Sequence, residues 1–297
     1  MKLSMLKKSE NYDQIINEKE FETLGILDSD IKCSYLTFLD DEKYLKKIEE
    51  KENISMVITT KELGKMISRK LGIMICDKPR ITFFNLHNKL CNEERYIREK
   101  KSNKIGENCS ISPFSFIETN NIIIGNNVII EEFVSIKSGT VIGDNSIIRA
   151  GSVIGSSGFE FKRSDDIIIP VNHYGGVIIG QNVEIKCNTV IDRAIYPWDN
   201  TEIGDYCKLD NLIHIGHACK IRKRVMIPAN SVIGGRVEIE NDSWIGIGCA
   251  IRNGVHIGKN SRCNMGAVVT KDVLDNTSVT GNFAIEHQEF IKKLKQK

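Results

Sequence analysis

The sequence predicts a mainly β protein, in which a parallel β-helix follows a small α/β domain and precedes a short C-terminal helix. Three observations predict the β-helix. An aliphatic residue recurs at almost every sixth position, a small residue stands two positions before most of these, and a glycine often follows directly. The frame comprises Ile179, Ile185, Ile191, Ile203, Leu209, Ile215, Ile221, Ile227, Ile233, Ile239, Ile245, Ile251, Ile257, Cys263 and Val269, and Pro197 alone interrupts it.

A repeat of six fits neither the helical period of 3.6 nor the simple strand period of 2. Three short strands per coil produce it, with aliphatic and small residues pointing inward and glycine or polar residues at the corners. The frame begins at Ile105, slips by one residue after Ile117, and continues from Ile124 to Ile154. The last turns end near Val279.

The repeat departs from its pattern in two places, 155–177 and 192–202. The six-residue rhythm fails in the first, whereas the second preserves the frame in its length but contains Pro197 and Trp198 and has the composition of a loop. A solenoid accommodates an insertion by ejecting a loop, and such loops often carry function. We therefore predict loops at both places.

Three domains are predicted: an α/β domain at 1–103, a β-helix at 104–282 and a helical tail at 283–297. The first domain has alternating helix and strand signals, and Pro79 is placed as the first residue of its third helix. The other predicted elements are a helix over 41–51, a strand over 55–58, a helix capped by Thr59 that runs through Leu71, and a strand over 72–76.

Composition argues against several functional classes. The net charge of +2 over 297 residues gives no reason to expect a nucleic-acid partner. None of the nine cysteines forms a Cys-x-x-Cys pair, and several occupy inward slots of the repeat, so we expect reduced cysteines and a cytoplasmic protein. Met1 to Gln14 has no apolar core typical of a signal peptide, and no apolar run reaches membrane-spanning length.

Two histidines stand out as candidates for chemistry, because the solenoid core is expected to be dry and aliphatic. His214 precedes the inward Ile215, so strand alternation turns it outward, and His217 falls at or beside a corner. The plainer interpretation is a pair of solvated surface histidines.

Five segments and part of the N-terminal domain resemble, in order, the UDP-3-O-acylglucosamine N-acyltransferases of lipid A synthesis, nearly across the whole chain up to about residue 260. The N-terminal segment, Leu36 to Leu45, is similar to that family's nucleotide-binding segment. The solenoid segments are Gly155-Ser-Ser-Gly-Phe-Glu-Phe, Gly175-Gly-Val-Ile-Ile-Gly, Val183-Glu-Ile, Ile191-Asp-Arg and Lys208-Leu-Asp-Asn-Leu-Ile-His-Ile-Gly-His.

The resemblance implies a left-handed β-helix that assembles as a homotrimer, with active sites between neighbouring subunits. The family's catalytic base falls on His217, and Asp210 matches an acid that would orient or polarise this base. A backbone amide one coil beyond the base would stabilise the oxyanion. Three hexapeptides per coil place Gly235 directly above His217, eighteen residues on.

The implied reaction moves an acyl group from a thioester to the amine of a nucleotide-linked aminosugar. The donor would be a 3-hydroxyacyl carrier protein or an acyl-CoA, with no permanently bound cofactor or metal. An amine attacks only when it is neutral, and a histidine near its ordinary pKa suits the removal of its proton.

The resemblance also implies substrate-binding residues. Phe38 and Tyr44 match aromatics that stack on uracil, with Asp41 beside them where the family has asparagine. The alternative for both aromatics is core packing. The remaining residues assigned to substrate binding are Asp192, Asn211, His214 and His256.

Some positions depart from the family's pattern. A second active-site histidine matches Gly254, with His256 two residues later. His214 replaces a glutamine, Ala218 replaces an asparagine, and Val279-Thr-Gly-Asn-Phe-Ala resembles the closing motif of acetyl-CoA-dependent enzymes.

Three alternatives stay open at this stage. The first is a short-chain acyl-CoA-dependent enzyme acting on a UDP- or dTDP-aminodeoxysugar for surface polysaccharide. The second is a β-helix metalloenzyme of carbonic anhydrase type, because His214-x-x-His217 has two imidazoles that could share a zinc ion. The third is a non-catalytic scaffold.

Overall fold

The computed structural model describes residues 1–6, 14–281 and 284–295, so Asn282 and Phe283 of the predicted closing motif lie outside the described residues. The chain divides into two compact units. The first comprises Met1–Glu99, Phe159–Gly175 and Ile195–Asp199, and the second comprises Lys100–Gly158, Gly176–Ala194 and Asn200–Lys297. The two breaks in the repeat thus contribute chain to the first unit.

The second unit is a left-handed parallel β-helix, which confirms the predicted fold class. Its strands form three parallel sheets, here called faces A, B and C. Face A contains Ser110–Ile111, Ile129–Ile130, Ile147–Ile148, Glu184–Ile185, Lys208–Leu209, Met226–Ile227, Trp244–Ile245, Arg262–Cys263 and Ser278–Val279. Face B contains Phe116–Ile117, Ser135–Ile136, Val153–Ser156, Val190–Asp192, His214–Ile215, Val232–Ile233, Ala250–Ile251 and Val268–Val269. Face C contains Lys104–Ile105, Ile123–Ile124, Thr140–Ile142, Gly176–Ile179, Asn200–Ile203, Lys220–Ile221, Glu238–Ile239 and His256–Ile257.

The inward row of each face forms one continuous core. Ile185, Ile215 and Ile239 are fully buried, one from each face, and belong to this cluster. Burial of one such side chain contributes about 1.5–3 kcal/mol. Each coil is too thin to bury its apolar residues alone, so the stacking of coils in register supplies the stability.

Two features of the backbone allow the chain to turn at the corners and the coils to stack closely. Most corners contain a residue with a positive φ, which asparagine and glycine tolerate best, and Asn230 and Gly248 are examples. The glycine directly after a strand has another role. A Cβ at Gly216 would lie 2.6 Å from the backbone nitrogen of Gly235 in the next coil, so the absence of a side chain permits close stacking.

The first unit contains a five-stranded sheet in the order Gln14–Ile16, Gly72–Ile75, Ile54–Thr59, Tyr35–Leu39, Thr23–Leu24, and only the first of these strands runs antiparallel to its neighbour. Its helices are the 3-10 turns Leu3–Leu6 and Glu42–Tyr44 and the α-helices Leu45–Glu50, Lys61–Gly64 and Pro79–Leu90.

The predicted helix from Thr59 through Leu71 is wrong. Thr59 ends a strand and its hydroxyl donates to the Leu39 carbonyl, whereas Thr60 caps a helix that ends at Gly64. A Cβ at Gly64 would lie 2.6 Å from the side chain of Ile75, so close packing explains the glycine there. The predicted helix start at Pro79 is confirmed.

The break at 155–177 is not wholly a loop. It contains an antiparallel hairpin, Phe161–Ser164 with Ile167–Pro170, and Asn88 donates to the Pro170 carbonyl. The second break is shorter than predicted, because Val190–Asp192 and Asn200–Ile203 are strands. Trp198 anchors its remainder in the first unit by donating from Nε1 to the Leu24 carbonyl, 2.8 Å away. The C-terminal helix spans His287–Lys295.

Candidate active site

His217 lies at the corner between faces B and C and is buried, with 7% of its surface exposed. It is therefore not a solvated surface histidine. Its ring lies against the backbone of the next coil: a Cβ at Gly235 would stand 2.6 Å from Nε2 and 2.8 Å from Cε1 of the imidazole. Real Cβ atoms do not approach this closely, so any larger residue at position 235 would displace the ring.

Backbone hydrogen bonds connect the corner of His217 to the corresponding corners of the coils that follow. Arg236 N donates to the His217 carbonyl at 2.8 Å, and Gly254 N donates to the Gly235 carbonyl at 2.9 Å. The eighteen-residue spacing predicted from the repeat thus puts His217 and Gly235 in contact. The imidazole occupies the space that the missing side chain leaves.

His214 projects outward from face B and pairs with a buried carboxylate. Its Nε2 donates to Asp192 Oδ2 at 3.0 Å, and the side chains are 44% and 6% exposed, respectively. Ser156 Oγ donates to the other oxygen of Asp192 at 2.8 Å. The hydrogen bond that His214 donates to Asp192 raises the pKa of His214 above its ordinary value, and this effect exceeds the opposing effect of desolvation.

Thr201 connects this pair to the His217 corner. Its buried hydroxyl donates to the Asp192 carbonyl at 2.6 Å and accepts from the backbone nitrogen of Ala218 at 2.8 Å. Asp192 and His217 therefore sit on two coils that one side chain ties together. The shortened second break makes this possible, because the strand that carries Thr201 begins again at Asn200.

Asp210 and Asn211 lie at the preceding corner, between faces A and B. Asp210 Oδ1 accepts from the backbone and side-chain nitrogens of Asn211, at 2.9 and 3.0 Å. Asn211 in turn accepts from Cys187 N with its own Oδ1. The structure places Asp210 one corner away from His217, and the acid that pairs with His214 is Asp192.

Asp210 also borders a surface pocket of about 180 Å³ on face A. Its apolar lining includes Met226, Pro228 and Trp244, and Lys186 and Lys208 complete one side.

His256 lies on face C, away from this corner, and its Nε2 stands 3.8 Å from Glu240 Oε1. Among the described residues, Glu238, Glu240 and His256 form the one group of three side chains close enough to share a metal ion, and Arg222 already pairs with Glu238. The predicted zinc pair, His214 with His217, is not in this group.

The nucleotide-binding candidates lie in the first unit, at the carboxyl end of strand Tyr35–Leu39. Phe38 packs against Phe83 and Phe84, with ring centroids 5.1 and 6.2 Å apart, so core packing accounts for part of its surroundings. Tyr44 is 41% exposed.

A cation covers each of these two aromatic rings. Arg80 lies 5.6 Å from the Phe38 centroid and pairs with Asp40, and Lys43 lies 4.8 Å from the Tyr44 centroid and pairs with Asp41. Asp41 also caps the turn by accepting from Lys43 N, and its bonds to Lys43 lower the pKa of its carboxyl.

Sequence reasoning missed Ser156, Thr201, Arg80 and Lys43. Ser156 and Thr201 lie at the edges of the two breaks, inside 155–177 and 192–202, and the breaks were the available signal for them. No pattern in the sequence pointed to Arg80 or Lys43 as the cations that cover the two rings.

Comparisons with known proteins match the repeat directly. A family profile described as "Bacterial transferase hexapeptide (six repeats)" matches residues 121–156, and "Hexapeptide repeat of succinyl-transferase" matches 236–271. A UDP-N-acetylglucosamine acyltransferase from Campylobacter jejuni superposes with a TM-score of 0.55 at 22% identity, covering 66% of this chain and 78% of that one. This similarity shows the fold.

Curated relatives match over a shorter stretch. UDP-3-O-acylglucosamine N-acyltransferase 2 of Legionella pneumophila is 48% identical over 89 residues, which is 30% of this chain and 25% of that protein. The enzyme named UDP-3-O-acylglucosamine N-acyltransferase in Rickettsia massiliae is 46% identical over 102 residues, or 34% and 29%. The matched part thus spans less than a third of these relatives' length, and less of this chain than the sequence motifs suggested.

Among the described residues, no helix is long and apolar enough to cross a membrane. The chain therefore combines a hexapeptide-repeat β-helix with a stretch that is similar in sequence to the UDP-3-O-acylglucosamine N-acyltransferases.

Proposed function

We propose that this protein is an N-acyltransferase that moves an acyl group from a thioester to the amine of a nucleotide-linked aminosugar. The observation that carries the proposal is the His217 imidazole packed against the bare backbone of Gly235. The relatives named UDP-3-O-acylglucosamine N-acyltransferase support the substrate class.

In this mechanism His217 is the general base. As the substrate nitrogen attacks the thioester carbonyl, its proton passes to the imidazole, a transfer that typically contributes 10²–10⁴-fold to the rate. The carbonyl oxygen becomes negative at the same time, and the Gly235 amide, beside the imidazole, is suited to donate to it. Base and oxyanion donor would then approach the reacting carbon from adjacent coils.

The proposed acceptor site in the first unit uses Phe38 and Tyr44 to stack on the base, with Asp41 beside them. Stacking tolerates any pyrimidine, so UDP- and dTDP-sugars are both compatible with it. Arg80 and Lys43 would leave the ring faces as the base enters, which places two cations near the phosphates of a nucleotide.

The proposed assembly is a homotrimer. The outward row of face B contains Phe116, Val153, Val190, Val232 and Val268, so this face presents apolar surface on both sides of His214. Apolar rows of this kind are typical of protein interfaces or acyl-chain contacts.

A thiol-release assay tests the function. Purified protein is combined with UDP- and dTDP-aminosugars and with acetyl-CoA, 3-hydroxybutyryl-CoA or a long 3-hydroxyacyl carrier protein. Turnover with the long carrier-bound chain and 3-O-acylated UDP-glucosamine would assign the protein to lipid A synthesis. Turnover with a short acyl-CoA and a deoxyaminosugar would assign it to another surface glycan, and no thiol release with any pair would contradict the proposal.

A further inference from the structure

We propose that His214 is a second catalytic residue, the general acid that protonates the departing thiolate while His217 acts as the base. This inference rests on the proposed function. It is drawn from the buried Asp192 beneath His214, a hydrogen-bonded pair that the family resemblance does not supply, since the family has glutamine at position 214.

The hydrogen-bond pattern fixes which nitrogen of His214 exchanges its proton. Asp192 has both oxygens occupied, one by Ser156 and one by His214 Nε2, and is almost fully buried. Since a carboxylate can only accept, Nε2 carries a hydrogen and Nδ1 is the atom that gains or loses the second proton. Nδ1 of His214, whose side chain is 44% exposed, is therefore the atom that can pass a proton to the thiolate.

The surroundings favour the charged form of His214. The neighbouring strands of face B place Val190 and Val232 beside it, so Asp192 is the charged partner on the adjacent coil. Arg193, next to Asp192, directs its guanidinium to the Gly155 and Ser138 carbonyls.

His217 and Cys219 are two titratable groups that follow His214 in the chain. Burial raises the pKa of the Cys219 thiol to about 12, so it stays neutral. His217 follows three residues later at the corner. The raised pKa of His214 favours the protonated form, which is the form that a general acid needs.

The proton balance of the step closes without any other reagent. The amine nitrogen forms a bond to the carbonyl carbon, and His217 takes one proton from that nitrogen. The carbon–sulfur bond then breaks, the electron pair goes to sulfur, and His214 supplies the proton that makes the thiol. The two histidines return to their starting states when one proton passes back through solvent from His217 to His214.

The test compares His214→Gln with the wild type on two thioesters, one of an alkyl thiol such as pantetheine and one of an aryl thiol. Glutamine can still donate to Asp192 but cannot carry a transferable proton. We expect a loss of about 10²-fold or more with the alkyl thioester. With the aryl thioester, whose thiolate leaves without protonation, we expect a loss below about tenfold. His287→Gln, an exposed histidine of the C-terminal helix, is the control.

The pH profile provides a second readout. The wild-type rate with the alkyl thioester should fall as pH rises through the raised pKa of His214, and this alkaline limb should be absent in His214→Gln. Asp192→Asn removes the main cause of the raised pKa of His214, so the alkaline limb of this variant's pH profile should move to lower pH.

Equal losses with both thioesters, or an unchanged alkaline limb, would overturn the inference and leave the proposed function standing. A wild-type protein that releases no thiol with any acceptor would overturn both.

Discussion

At the scale of single residues, the proposed chemistry depends on side chains that are held in position by hydrogen bonds to their neighbours. Asp192 accepts hydrogen bonds from Ser156 and His214, and Thr201 connects its backbone to Ala218. A buried carboxylate with two donors is held in one orientation, because any rotation would leave an unsatisfied oxygen. His214 is thereby oriented on the outer surface of face B.

The two aromatics of the first unit differ in what their replacement should do. Tyr44→Ala should raise the Michaelis constant for the nucleotide sugar several-fold with little change in turnover or melting temperature, because stacking binds the ground and transition states alike. Phe38→Ala should also raise the Michaelis constant, and it should destabilise the fold by about 0.5–3 kcal/mol, since its partly buried ring packs on Phe83 and Phe84.

Steady-state kinetics and thermal unfolding of both variants check this pair of predictions. A fall in turnover at an unchanged Michaelis constant for Tyr44→Ala would rule out a stacking role.

At the scale of elements, the stacked corners that carry His217 and Gly235 matter most for the proposed activity. Gly235 is not among the positive-φ glycines, so its backbone accepts an alanine. The space beside it does not, because the imidazole already fills it. A substitution at position 235 therefore tests the placement of the His217 ring more than it tests the backbone.

Gly235→Ala should keep the fold but reduce turnover by about 10²-fold or more, because the added methyl group displaces the base from its position. Circular dichroism and thiol release measure the two effects. Gly248→Asn is the matched control, at another corner where a side chain meets no atom within 4 Å and where asparagine tolerates the positive φ. Full activity in Gly235→Ala would contradict the placement of His217.

The repeat made these elements predictable to different degrees. The six-residue period determines strands, corners and the vertical alignment of His217 with Gly235, since each coil repeats the geometry of the last. The Asp192–His214 bond follows from a longer coil, in which His214 aligns with Val190 instead of a residue eighteen positions earlier. The longer coil depends on how the break at 192–202 folds, and the local sequence pattern does not determine this. The helix misplaced at Thr59 shows the same limit, because Thr59 pairs with Leu39 and Ile75 on neighbouring strands, which a local capping pattern does not reveal.

At the scale of the whole molecule, the apolar row of face B should form the contact between subunits or with the acyl chain. A side chain such as Val268, 71% exposed, is costly to leave in water. Three copies would bury such rows against each other and place His217 of one chain beside another chain.

Light scattering during size exclusion should give a mass three times the 33.5 kDa of the chain. Val268→Asp should shift the mass towards one chain, because a carboxylate buried at an apolar contact lacks a partner. Lys271→Asp, at an exposed position nearby, should leave the trimer intact. A wild-type mass of one chain would exclude active sites shared between subunits.

The central claim is that His217 removes the proton from an attacking amine. Single-turnover thiol release by His217→Gln, compared with wild type on the best pair from the substrate panel, tests it most directly. We expect a fall of about 10²–10⁴-fold with unchanged folding and mass. Near-normal turnover in this variant would remove His217 as the base.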